Sequence, residues 1–137
     1  LAPESLELEI TESMVMDNPE RAAAILRELR VVGVQLAIDD FGIGYSSLGR
    51  LKRFPIDRLK IDKSFVGDIG LDSGNGGIAS AVIALAEGMG MKVTAEGVET
   101  DGQLDYLKTR RCHEVQGFLL SRPLSATQVE AFFRQWA

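Results

Sequence analysis

The sequence predicts an α/β fold with a parallel sheet, and it places that sheet in part of a (β/α)₈ barrel. Three observations carry the prediction. Short apolar strands alternate with helical stretches five times, which demands parallel strands with helices packed outside them. No Gly-x-Gly-x-x-Gly follows the first strand, so a doubly wound dinucleotide fold has little support. The strands also end, one after another, in polar groups: Glu9 and Glu12, Asp39 and Asp40, Lys60 and Asp62, Glu96 and Glu99, and Gln116. Strands covered on both faces are apolar on both, whereas a barrel gathers its active site at the C-terminal ends of its strands.

The elements follow in order. Leu6-Glu7-Leu8-Glu9-Ile10 alternates apolar and acidic residues and reads as the first strand, closed by Thr11-Glu12-Ser13. Asp17-Asn18-Pro19-Glu20 opens a helix with a capping residue, Pro at the first position and Glu in the first turn. Ile25, Leu26, Leu29 and Val32 form its expected apolar stripe, and Gly33 ends it. Val34–Asp39 is the second strand. A short helix follows, with Leu48, Leu51 and Phe54 on one side and Pro55 as its stop. Arg58–Asp62 is the third strand, with Leu59 and Ile61 facing the helices and Arg58, Lys60 and Asp62 facing the barrel mouth. Asp68–Gly77 holds four glycines and reads as a mobile loop. Residues 78–89 form an Ala- and Ile-rich helix, Met91–Ala95 the fourth strand, and Thr100-Asp101 caps a helix to about Arg110 with Leu104 and Leu107 inward. Glu114–Phe118 is the fifth strand. Ser125-Ala126-Thr127-Gln128 is a capping box that opens a last helix bearing Val129, Phe132, Phe133 and Trp136.

Composition narrows the function classes. At 137 residues and 45% hydrophobic, the chain reads as one domain with enough apolar material for a core. A net charge of −5 gives no sign of a broad surface for nucleic-acid polymers or membranes. No run has the length of a membrane span or the pattern of a signal peptide. The single cysteine, Cys112, excludes an internal disulfide and fits a reducing compartment, so a cytoplasmic location is expected, with any membrane anchor supplied by segments upstream. Cys112 stands among Arg110, Arg111 and His113, which favour a thiolate, but one Cys beside one His is poor grounds for a catalytic pair, and an inert structural role is expected. The chain begins on Leu1-Ala2-Pro3 and reads as a start inside a longer protein.

The stretch from Asp39 to Leu48 carries the most chemistry. An apolar strand runs into two adjacent carboxylates, followed by a loop with two glycines and two serines. At a frayed strand end two neighbours can reach into one cavity, where adjacent carboxylates repel unless a cation lies between them. The plainer alternative is a solvated turn in which one aspartate caps the next helix. The carboxylates at the other strand ends favour the cation.

These segments resemble the EAL family, the cyclic di-GMP phosphodiesterases. The resemblance rests on Glu9-Ile10-Thr11-Glu12-Ser13, Asp39-Asp40-Phe41-Gly42-Ile43-Gly44-Tyr45-Ser46-Ser47-Leu48, Lys60-Ile61-Asp62, Ala95-Glu96-Gly97-Val98-Glu99, and Gln116-Gly117-Phe118 with Ser121-Arg122-Pro123-Leu124. They occur in the family's order across nearly the whole chain. The resemblance implies a modified (β/α)₈ barrel of which residues 1–137 supply the last five strand–helix units, and an activity that opens cyclic di-GMP to linear pGpG. It implies a metal set of Glu9, Asp39, Asp40 and Glu96, with Asp39 shared between two metals and Lys60 orienting the attacking water. Asp39, Asp40, Lys60 and Glu96 are then the residues of the chemistry. Glu12, Asp62, Glu99 and Gln116 support them from outside, Glu12 by anchoring the loop after Asp39-Asp40. Mg²⁺ or Mn²⁺ suits a carboxylate set, and no His and Cys cluster offers a Zn²⁺ site.

The chain departs from the family pattern in what it lacks. A whole barrel takes about 250 residues, and neither the Glu-Ala-Leu segment that names the family nor the next strand's asparagine is present. The second-metal set is complete and the first is half present, so little or no hydrolysis is expected from these residues alone. Ile43 stands where Thr is commoner, and His113 where an acidic residue is frequent. The alternative function is a module that binds cyclic di-GMP without cutting it. A part-barrel with open strand edges is also expected to pair as a homodimer.

Overall fold

The computed structural model describes residues 1–44, 48–70 and 76–135. Tyr45, Ser46 and Ser47 of the loop motif, residues 71–75 of the glycine-rich stretch, Trp136 and the side chain of Leu48 lie outside the described residues.

Five strands form one sheet: β1 (Glu7–Thr11), β2 (Gln35–Phe41), β3 (Arg58–Ile61), β4 (Lys92–Glu96) and β5 (Glu114–Gln116). All four pairings are parallel, and spatial order follows chain order. A doubly wound sheet reverses its strand order at a switch point. Crossovers that all step the same way curl a sheet toward a barrel instead. The described helices are α1 (Glu12–Asp17), α2 (Pro19–Val32), α3 (Leu48–Leu51), α4 (Lys63–Gly67), α5 (Gly76–Met89), α6 (Asp101–Thr109) and α7 (Ala126–Arg134).

Side chains alternate along each strand, so residue parity sorts them between two faces. Leu36, Ile38, Leu59, Ile61, Val93 and Ala95 have 0% exposure and join Leu26, Leu51, Val66, Ile83 and Leu107 of the helices in one apolar cluster. Burying a side chain of the Val, Leu or Ile kind stabilises by roughly 1.5–3 kcal/mol, so this outer face holds the sheet. The opposite parity presents Glu7, Glu9, Asp39, Arg58, Lys60, Thr94, Glu96, Glu114 and Gln116.

Local signals placed the ends of several helices. Asn18 caps α2, with its side chain accepting from the Arg21 N–H, Pro19 takes the first position, and Gly33 closes the helix at φ 102°. Both Thr100 with Gln103 and Ser125 with Gln128 form complete capping boxes. Other details differ from the sequence reading. Thr11 does not simply close β1 but caps α1, whose Val15 is buried. β2 runs on to Phe41, β3 stops at Ile61, and Asp62 caps the unforeseen α4. Gly76 and Gly77 belong to α5 rather than to a loop. On α2, Leu26 is buried and Leu29 half-buried, but Ile25 and Val32 are 46% and 60% exposed. At about 100° per residue, Ile25 points well away from the Ala23–Leu26 face that meets the sheet.

Two features are peripheral. No described residue of α7 is buried, and Phe133 is 64% exposed. The thiol of Cys112 is half-buried, and burial pushes its pKa up, the opposite of an activated nucleophile.

Asp62 accepts hydrogen bonds from the Ser64 N–H at 2.8 Å and from its hydroxyl. Although burial opposes it, these bonds lower the carboxyl's pKa below the usual range. Their contribution is therefore full above the unfolded value of about 3.9 and is lost as pH falls through the lower folded value. Asp62→Ala is expected to cost about 1 kcal/mol, measured by urea unfolding at neutral pH, with the difference shrinking at strongly acidic pH.

Candidate active site at the strand ends

Lys60 lies at the centre of the polar face. Its Nζ is 2.7 Å from Glu9 Oε1, 2.7 Å from Glu96 Oε1 and 3.6 Å from Asp39 Oδ1. The residue is only 6% exposed. Burial alone would lower its pKa, but hydrogen bonds to Glu9 and Glu96 and the charges of Glu96 and Asp39 raise it well above the ordinary lysine value. The ammonium is protonated at any physiological pH and cannot serve as a base there.

Asp39 and Asp40 reach the same side through a break in the strand. Pairing between β2 and β3 shifts register between Ile38 and Phe41, and Asp40 has φ 54° in the left-handed region. In regular pleating consecutive side chains point to opposite faces; an irregularity of this kind re-aims one of them. The Asp40 N–H donates to Asp39 Oδ1 at 2.9 Å. Burial, and then the charges of Asp39 and Asp62, raise the Asp40 pKa, with Lys60 acting against them.

Asp39, Asp40 and Glu96 each offer a carboxylate oxygen, and these atoms lie within 4.8 Å of one another. An all-oxygen, anionic donor set with mutually repelling members suits a hard divalent cation such as Mg²⁺ or Mn²⁺. Glu9 is not part of this group; it is held by Lys60. A cavity of about 420 Å³ opens beside the cluster, lined by Asp40, Asp62, Glu96, Glu99, Gln116 and Phe118 among others.

Glu12 is 4% exposed and lies behind the loop that follows β2. Its Oε2 accepts from the Gly42 N–H at 3.3 Å, and its Oε1 has no partner among the described residues. A Cβ on Gly44 would stand 3.1 Å from the Glu12 carboxyl. The turn carrying Glu99 is fixed by Gln103, a residue not singled out from sequence, whose side chain accepts from the Glu99 and Thr100 N–H groups at 2.8 and 3.1 Å. Thr100-x-x-Gln103 is a legible capping box, so the signal was present. Beneath the site, Arg58 joins Glu7, Thr94 and Glu114, a cluster hinted at only by Arg58 sharing the face of Lys60.

Gly117 brings β5 against the same turn. Val98, fully buried, donates its N–H to Gln116 O at 3.1 Å and accepts from the Leu119 N–H at 3.0 Å. A Cβ at Gly117 would meet Val98 O at 2.1 Å and Val98 N at 2.3 Å. Gly117→Ala is expected to push the 97–99 turn outward and cost at least about 2 kcal/mol, read as a lower urea midpoint with raised amide exchange at Val98.

Comparisons with known proteins bear on the site as a whole. The model of the EAL domain family matches residues 1–123. The chain is 49% identical over 131 residues to the cyclic di-GMP phosphodiesterase NbdA of Pseudomonas aeruginosa, covering 96% of this chain and 17% of that protein. Among solved structures, the MucR phosphodiesterase in complex with c-di-GMP superposes with a TM-score of 0.91 at 46% identity, over 94% of this chain and 52% of that one. The manganese and cyclic di-GMP complex of Klebsiella pneumoniae BlrP1 gives a TM-score of 0.81 at 41% identity, over 90% of this chain and 31% of that one. The chain thus spans about half of the solved MucR domain and under a fifth of NbdA.

Proposed function

Because the chain belongs to the EAL domain family, we propose that the barrel to which its five strand–helix units contribute hydrolyses cyclic di-GMP to linear pGpG with two divalent metals, Mg²⁺ or Mn²⁺. The observation that carries this reading is the convergence of Asp39, Asp40 and Glu96 within 4.8 Å at the strand ends, with the Lys60 ammonium among them. NbdA bears the name of this activity, and BlrP1 binds manganese with cyclic di-GMP.

In this reading Asp39, Asp40 and Glu96 hold one metal, and Glu9 and Asp39 contribute to the other. When bound, the metals supply water activation at neutral pH and neutralise charge growing on the phosphate oxygens. The protein's own groups do the rest. Lys60, held protonated at neutral pH by its carboxylate neighbours, donates hydrogen bonds that orient the attacking water or a phosphate oxygen. Glu12 fixes the loop after Asp40 through the Gly42 N–H, so that Asp39 and Asp40 keep their shared direction. Glu99 and Gln116 line the cavity beside Glu96 and offer polar contacts to the ligand. Hydrolysis adds one water across one phosphodiester of the ring, which opens it to the linear dinucleotide.

The 137 residues alone are expected to turn over little or no substrate, because half of the other metal's ligands come from elsewhere in the family barrel. The outer edges of β1 and β5 are unpaired within the described sheet, which favours pairing with a second copy.

The deciding assay measures cyclic di-GMP hydrolysis with Mg²⁺ or Mn²⁺, using this chain beside a form extended upstream by about 110 residues to a full barrel. Product is expected from the longer form. Asp39→Ala should abolish turnover and lower metal affinity, whereas Lys60→Ala should slow turnover with metal binding retained. Tight cyclic di-GMP binding without product in the longer form would replace this reading with that of a binding module.

A further inference from the structure

The site described above stands on a second layer of polar side chains. Arg58 is 9% exposed. Its Nε donates to Glu7 Oε2 at 2.7 Å, and its Nη1 donates to Thr94 Oγ1 at 2.7 Å and lies 2.6 Å from Glu114 Oε2. One guanidinium on β3 therefore bonds to groups on β1, β4 and β5.

Each member of this cluster stands two residues before a site residue on its own strand: Glu7 before Glu9, Arg58 before Lys60, Thr94 before Glu96 and Glu114 before Gln116. Two residues along a strand return to the same face about 6.6 Å further on. The Arg58 layer is thus the floor beneath the candidate metal layer, strand for strand. On β2, Ala37 pairs in register with Glu9 on one side and with Arg58 on the other, so it stands between the two layers. Its small side chain leaves the space through which Arg58 reaches Glu7 across β2.

We propose that Arg58 is a positioning residue for the metal centre, holding β1, β3, β4 and β5 at the spacing that Glu9, Lys60, Glu96 and Gln116 require. The inference rests on the metal reading of that centre. Ion pairs are a poor source of stability, whether drawn out of water, as at the Arg58 end, or left in contact with it, as at Glu114, which is 51% exposed. A guanidinium offers direction instead: its planar fork fixes several donors at once, which an ammonium on a flexible stem does not. Three bonds to three other strands use that property.

The sign of one effect separates positioning from simple electrostatics. Removing the positive charge of Arg58 should, through the field alone, tighten cation binding a few ångströms above it. Loss of positioning should weaken it. The test is a Mn²⁺ titration of the purified chain, followed by the free-ion electron paramagnetic resonance signal, on wild type, Arg58→Met and Arg58→Lys. Both variants are expected to bind Mn²⁺ about tenfold more weakly, the lower end of the effect of groups that support metal ligands. In the metal-free protein, amide exchange at Lys60 and Glu96 should rise in both. Glu7→Gln keeps an acceptor for the guanidinium and should retain wild-type affinity. Circular dichroism and thermal melting establish that each variant is folded. If Arg58→Met does not fold, Arg58→Lys, which keeps the charge and loses the fork, decides alone. Unchanged or tighter Mn²⁺ binding in a folded variant overturns the proposal. Absence of Mn²⁺ binding by the wild type would instead overturn the metal reading beneath it.

Discussion

A single buried ammonium organises the polar face of this sheet. Lys60 Nζ contacts Glu9 on β1 and Glu96 on β4, with Asp39 on β2 within 3.6 Å. Four carboxylates crowded at neighbouring strand ends would otherwise repel one another. Lys60 offsets part of that repulsion, and Asp40, the member furthest from relief, retains a raised pKa. The protein thus carries an unresolved negative excess at one point of an otherwise satisfied layer. In the proposed reading a divalent cation would answer that excess, and the apolar outer face supplies the rigidity that keeps the groups from moving apart.

The same sheet separates stability from chemistry by parity. Leu36, Ile38, Leu59, Ile61, Val93 and Ala95 bind the strands to the helices, while their alternates carry charge. Within the charged face there is a further division by level. The Arg58 layer is closed on itself by hydrogen bonds among protein groups, and the Lys60 layer above it keeps oxygens available to a ligand. Close backbone contacts complete the arrangement: Gly117 against Val98 holds the turn between Glu96 and Glu99 with no space for a side chain.

Much of this was legible in the chain. Strand parity assigned Lys60 to the side away from Leu59 and Ile61, and the polar strand ends favoured a barrel. Asn18-Pro19, Gly33 and Ser125-x-x-Gln128 marked helix ends through bonds made within a few residues. What escaped were features whose causes lie between segments. The exposure of Ile25 and Val32 depends on how α2 is rotated against the sheet. The helices α1 and α4 are short, and a single turn shows no periodicity. The left-handed turn at Asp40 belongs to a residue with no glycine to announce it.

The sequence by itself determined which residues within a strand share a face and which strands carry carboxylates near their ends, because alternation and capping are settled by neighbours a few positions apart. Only the tertiary structure decided which charges meet. The bonds from Lys60 to Glu9 and from Arg58 to Glu7 each span 51 residues, and their formation depends on the register between strands. The grouping of Asp39, Asp40 and Glu96 depends in turn on the shift between Ile38 and Phe41. Distances of a few ångströms between strands decide whether carboxylates are ligands or solvated ends, and those distances are set by packing against the helices.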